Sequence, residues 1–183
     1  MIVVEDGAMP TGANCYASVA DVDAWHTVRG SEAWPAPPES GDDPNRAAKE
    51  AAIILAADYL NGLAWVGKKA AAGRIMAWPR VDAEDGEGYA IPSDMVPVQV
   101  VAANCYLAGL VYQNTDLQPV LERGGRIQSE KVSSLQTTYF DDARDRDVFT
   151  ALSDLLRGLA TGLGGEQGQG NGGGFNIVEV VRA

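Results

Sequence analysis

Between residues 98 and 112, apolar side chains fall on nearly every side of a helical wheel. Val100, Val101, Cys105, Leu107, Ala108, Leu110 and Val111 are interrupted only by Gln99 and Asn104 before Gln113. A helix apolar all round is a buried one, and this one is too short and too interrupted to span a bilayer. The pattern predicts a central helix over 98–112 on which the rest of the chain packs. Pro97, with its fixed φ and missing N–H, suits a first helical turn, and Ser93 and Asp94 upstream are acceptable caps.

Other segments show one-sided patterns. Ser18 with Asp21 resembles a capping box, followed by Val19, Val22, Trp25 and Val28 on one helical stripe that ends at Gly30. His26, the only histidine, sits at the edge of that stripe and reads as a surface or half-buried helix residue. Residues 34–44 are rich in Pro, Ser and acid and read as a loop. Asp43-Pro44 then supplies an N-cap and a first-turn proline for an Ala-rich helix over 45–63. Its expected apolar face is Ala48, Ala51, Leu55 and Tyr59 with Ile54 beside it, and its expected wet side is Arg46, Lys49, Glu50, Asp58 and Asn61. Near the end, Val148, Phe149, Leu152, Leu155, Leu156 and Leu159 draw a further helical stripe.

Two stretches break from helical periodicity. Residues 126–132 and 135–140 are β-prone with partial alternation around Ser133-Ser134, which predicts a hairpin arm with polar tips. Residues 162–174 are Gly, Gln and Asn-rich and predict a flexible tether with an r.m.s. reach of roughly 20 Å. Beyond it, residues 175–183 contain a β-former whose natural use is to add to a sheet edge. The expected fold class is therefore mainly α. It is a small helical bundle around a buried central helix, with a β-hairpin arm and a C-terminal β-strand on a flexible tether. The corresponding organisation is 1–161, with the arm at about 126–140, a linker over 162–174, and the strand arm over 175–183.

Composition narrows the function. The chain has 183 residues, 46% of them apolar, enough for one domain with a core. Its 25 acidic and 14 basic residues give a net charge of −11, which argues against a surface that binds nucleic acid as a whole. Cys15 and Cys105 are far apart, and Cys105 lies on the predicted buried helix, so a free thiol is expected over a disulfide. The N-terminus carries no basic segment followed by an apolar run, so no secretory leader is expected and a cytoplasm is the expected compartment.

The search for chemistry returns little. One histidine and two distant cysteines do not make a Cys/His metal set, and there is no nucleophile elbow or phosphate loop. The acidic run 82–87 has its glycine one place early for a calcium loop and lacks the closing Glu, so it reads as a solvated turn. No catalytic residue, metal site or cofactor is expected, and an enzyme is not the expected class. The candidates that remain are surfaces. Residues 65–80 hold Lys68, Lys69, Arg74 and Arg80 with no acid between Asp58 and Asp82, flanked by Trp65 and Trp78. That basic loop could meet nucleic acid or an acidic partner, against a plainer reading as a solvated loop whose tryptophans pack on the core. The hairpin arm offers Arg126, Gln128, Glu130 and Lys131 to a partner. The tail strand offers Phe175, Ile177, Val178, Val180, Val181 and Arg182.

A series of local signatures adds to this reading. They are Glu5-Asp6-Gly7; residues 14–21; Arg29-Gly30 with Trp34; residues 57–62; Trp65-Val66-Gly67-Lys68; Trp78-Pro79-Arg80; Ile91-Pro92 with Val96-Pro97; and residues 124–131. In this order, over about residues 3–159, they resemble a family of phage neck proteins. These are the head–tail connectors, or adaptors, of long-tailed double-stranded DNA phages, and some members are labelled DnaT-like single-strand-binding proteins. Two stretches depart from the pattern: the Pro-rich insert over 35–44 is long, and the Gly-rich tether is particular to this chain. The resemblance implies a mostly helical virion protein that forms a ring, a dodecamer, beneath the portal. It would bridge the portal to the next neck protein, a stopper or tail-side component, and leave a channel for genomic DNA without binding it tightly. Membrane is not among the implied partners. The rival expectation is a single-stranded DNA-binding module, which would need Trp65 or Trp78 and the basic loop to form a stacking groove.

Overall fold

The computed structural model describes residues 1–118 and 150–161, and between them the paired backbone of two strands, 127–131 and 136–139. The predicted hairpin is present as β4 (Ile127–Lys131) antiparallel to β5 (Gln136–Tyr139), with a register shift between Ile127 and Ser129. The predicted linker and tail strand, Arg126, and the start of the last helical stripe at Val148 and Phe149 lie outside the described residues.

The central helix is α3 (Val98–Tyr112), with the bounds that its pattern predicts. It packs on α1 (Val19–Val28), α2 (Arg46–Asn61) and α4 (Thr150–Leu155). Val100, Ala103, Leu107 and Ala108 are fully buried on it, and removing a Val or Leu side chain from water contributes about 1.5–3 kcal/mol. Pro97 stands one place earlier than expected, as the N-cap residue, and no side chain caps the helix. Ser93 and Asp94 instead lie in the turn that precedes it. Asn104, an apparent interruption, is buried and useful. Its Oδ1 accepts the Tyr16 N–H at 2.9 Å and its Nδ2 donates to the Ile53 carbonyl at 3.1 Å, tying the N-terminal segment and α2 to the central helix.

Helix α1 starts on the expected capping box: Ser18 Oγ accepts the Asp21 N–H at 3.2 Å, and Asp21 accepts the Ser18 N–H at 2.9 Å. The face it buries is Val22 and His26, four residues apart, while Val28 is 85% exposed. His26 is therefore a core residue, not an edge one. Its ring stacks on Trp34 and lies against Gly109 of α3, where an added Cβ would stand 2.6 Å from His26 Cε1.

Helix α2 is turned relative to its expected face. It buries Lys49, Ala52, Ile53, Ala56, Ala57 and Leu60, and leaves Ala48, Ala51 and Leu55 exposed. Alanines on both faces made the two stripes hard to separate, and the stripe with Ile53 and Leu60 won because α3 packs there. The N-cap is Asn45, two residues later than expected, while Asp43 caps the turn before it by accepting the Asn45 N–H at 2.8 Å.

Short antiparallel ladders close the ends. β1 (Ala64–Trp65) pairs with β6 (Ala160–Thr161), and β2 (Lys68–Lys69) pairs with β3 (Arg80–Val81). The β-prone start makes a single parallel bridge, Val4 to Cys15. Leu152, Leu156 and Leu159 of the last stripe are buried in the common core. The result is a mostly helical core with small two-stranded ladders around it. Among the described residues no helix is long and apolar enough to cross a membrane.

Candidate functional site

The basic segment is organised by the corner at residues 77–80. The Trp78-Pro79 peptide is cis, and Trp78 is fully buried with its ring edge-on to Trp65 at 5.7 Å. Trp65 is half-buried and donates its Nε1–H to the Leu60 carbonyl at 2.9 Å. Tyr16 holds the corner from the other side: its hydroxyl accepts the Ala77 N–H at 2.9 Å and donates to Asn61 Oδ1 at 2.6 Å. Burial pushes that phenol up to about 12. The two tryptophans thus pack on each other and on the core, and they do not form an open stacking groove.

Two of the segment's four cations turn inward. Arg80 is 9% exposed and donates to the main-chain carbonyls of Val66, Ala77 and Gly67. Burial lowers its pKa, partly opposed by Tyr16. Arg74 reaches across to the N-terminal loop. It pairs with Glu5 Oε2 at 2.7 Å and donates to the Met9 and Pro10 carbonyls at 2.7 and 3.1 Å. Glu5 is itself buried, and its other oxygen accepts the Gly7 and Met9 N–H groups at 3.0 Å each. Gly7 permits this turn: it has φ +109°, and a Cβ there would stand 2.0 Å from the Asp94 carbonyl oxygen. Lys69 Nζ donates to the Arg74 and Ile75 carbonyls at 2.8 and 3.3 Å. Only Lys68 faces water with a loose partner, Asp82, at 3.8 Å between two well-exposed side chains. The predicted basic loop is therefore corrected in part: Arg74 and Arg80 are structural ties, and Lys68 and Lys69 supply the exposed charge.

The cation that the sequence pattern assigns to the wet side is the most buried one among the described residues. Lys49 has no exposed side-chain surface and stands 2.8 Å from both Asp23 Oδ1 and Asp43 Oδ2. The Asp43 contact is an ion pair without hydrogen-bond alignment at that oxygen. Trp34 Nε1 donates to Asp23 Oδ1 at 2.6 Å and completes the cluster. Burial pulls the Lys49 ammonium down, but the two carboxylates outweigh it and hold it above its ordinary range. The cluster fastens the Pro-rich insert and α1 to α2. Its signal was present as Lys49, Ala52, Ile53, Ala56 and Leu60 on one helical face, but naming the two aspartates required the fold.

The remaining candidates can be placed only in part. Gln128, Glu130 and Lys131 lie on β4, with Lys131 opposite Gln136. Arg126 and the tail residues Phe175, Ile177, Val178, Val180, Val181 and Arg182 lie outside the described residues. Cys15 and Cys105 are free and buried, and burial raises their thiols to about 11 and about 12, so neither is a ready nucleophile. Among the described residues no group of three His, Cys, Asp or Glu side chains is arranged to hold a metal.

Comparison with known proteins adds one finding. No curated protein and no solved structure matches the chain. A family model described as "Putative DnaT-like ssDNA binding protein" matches residues 1–183, the whole chain, and the chain belongs to that family.

Proposed function

We propose that this protein is a non-enzymatic structural component of a phage neck. It would be a head–tail adaptor that assembles as a ring on the portal and joins it to the next neck protein, with DNA passing through the ring. The observation that carries this reading is the fate of the basic segment. Arg74 and Arg80 are taken up by Glu5 and by main-chain carbonyls of their own chain, and Trp78 is buried against Trp65. A strand-binding groove needs cations aimed at phosphates and aromatic faces open to bases. A scaffold needs cations as internal ties. The net charge of −11 also suits a wall that DNA slides past. The neck, the ring and the virion are what the resemblance carried by the order of signatures over residues 3–159 implies.

The second reading is single-stranded DNA binding, and the family's description favours it directly. Its cations would have to come mainly from outside residues 1–118 and 150–161, where Arg123, Arg126, Lys131, Arg144, Arg146 and Arg182 are found. One experiment separates the two. The mass and shape of the protein are measured by light scattering and negative-stain microscopy, with and without a purified portal, beside a labelled-oligonucleotide shift. The adaptor reading expects rings on portals and no shift at physiological salt. A salt-dependent shift, with indifference to portals, would transfer the assignment to strand binding.

A further inference from the structure

The outer face of α2 and the chain after α3 enclose a groove of about 540 Å³. Leu55, Asp58 and Tyr59 form one wall, on adjacent turns of α2, and Val111, Asp116 and Leu117 form the other. The second wall exists because Asn114 takes a left-handed conformation, φ +62°, and turns the chain back after α3. Thr115 N–H then bonds the Leu110 carbonyl at 3.0 Å, and Gln118 N–H bonds Asp116 Oδ1 at 2.9 Å. The groove thus presents Leu55, Tyr59, Val111 and Leu117 beside polar residues, with the carboxylates of Asp58 and Asp116 among them. Leu55 is 55% exposed, and neither Asp58 nor Asp116 has a cation partner among the described residues.

A different surface has the opposite character. Ile75 is 74% exposed, in a loop tied down at both sides by Arg74 and Met76. Lys69 Nζ sits 3.3 Å from the Ile75 carbonyl, and Lys68 is 81% exposed next to it. This is an apolar knob beside two cations. No residue is shared between the knob and the groove.

We infer that the groove of one copy receives the Ile75 knob of a second copy, with Lys68 and Lys69 facing Asp58 and Asp116. Two unlike surfaces meeting head to tail make a heterologous contact, which closes into a ring when its rotation permits. The inference deepens the ring reading above and rests on it for the meaning of the contact. Such an apolar insertion with charges around it would cover Leu55 and Ile75, which the single chain leaves exposed.

The test uses the full chain in two charge-reversed forms, Asp58→Lys/Asp116→Lys and Lys68→Glu/Lys69→Glu. All four side chains are exposed, and circular dichroism checks that each form is folded. Wild-type protein should associate in sedimentation equilibrium, more weakly as salt rises from about 0.05 to about 0.5 M. Each reversed form alone should associate at least about tenfold more weakly. An equal mixture of the two should recover association, because reversed groove then meets reversed knob. Ile75→Asp, which leaves the Lys69 bonds in place, should weaken association by a similar factor without rescue by mixing. Wild-type protein that stays monomeric, or reversed forms that associate as well as wild type, would overturn the contact. Association without portal binding would keep the contact and remove the neck reading. Portal binding by protein with no self-association would do the reverse.

Discussion

Lys49 and Arg80 are both buried cations, and they are held in opposite ways. Lys49 is neutralised by two carboxylates that arrive from separate elements, α1 and the insert before α2. Arg80 has no carboxylate partner among the described residues and is satisfied by three main-chain carbonyls within fourteen residues of it. An ammonium is a compact charge that needs an opposite charge to leave water. A guanidinium spreads its charge over five donors and can be accommodated by dipoles alone. The first arrangement ties distant parts of the chain together. The second stiffens one local corner. His26 makes a third case: its Nε2–H donates to the Cys105 carbonyl at 3.1 Å, and its buried Nδ1 has no partner among the described residues, so the fold favours the neutral ring.

Breaking the first arrangement should cost most. Lys49→Met leaves two carboxylates facing each other with no cation between them. A loss of about 2–4 kcal/mol is expected, read as a lower urea midpoint with an unchanged slope. Replacing Asp23 and Asp43 by Asn as well should restore part of that loss, because no unpaired charge is then left behind. A full loss in the triple variant would mean that Lys49 acts through packing and not through its charge.

Arg80→Ala strands three carbonyls at the corner. The expected cost is about 2 kcal/mol, since water reaches the edge of the site and re-satisfies part of it. Arg80→Lys should recover little, because one ammonium cannot address three carbonyls in a plane. Equal stability of the Lys and Arg forms would show that charge matters there and geometry does not.

The smallest effect is a pH dependence at His26. An unfolded imidazole titrates near 6.5, and burial lowers the folded value, with the Cys105 hydrogen bond opposing it. Holding the ring neutral therefore contributes stability that is complete above about 6.5 and is lost as pH falls through the folded pKa, with a slope of at most about 1.4 kcal/mol per pH unit. Asp43 and Glu50, both held below their ordinary range, act only further down, below about 4. Lys49, held above its range, loses its contribution only in strong alkali. Thermal melting between pH 7 and 5 should fall for the wild type and be flatter for His26→Gln, if that variant keeps the bond to Cys105.

The comparison also shows which parts of the molecule could be read from local pattern. The bounds of α3 follow from an unbroken apolar run between Pro97 and Gln113, and the capping box of α1 follows from two residues three apart. The face of α2 does not follow. Alanines occur on both of its stripes, and Ala, with almost no side chain, carries little information about which face is inward. His26 was misplaced for a related reason: its burial comes from Gly109, whose missing Cβ leaves room for the ring. The basic segment is legible as a cluster of charge, and its plainer reading, with the tryptophans packed on the core, is the one the structure shows. The inward turn of Arg80 and Arg74 is not legible, because the carbonyls that bind Arg80 and the Glu5 that binds Arg74 come together only on folding.

Sequence alone determined the helical class, the central helix and the hairpin pairing. These depend on periodicity, turn residues and residue inventory, which are local or compositional. The tertiary structure decided which lysine is buried, which apolar face of α2 stays outside, and which cations are left for a partner. Those depend on side chains brought together across dozens of residues, where desolvation and pairing outweigh any local preference.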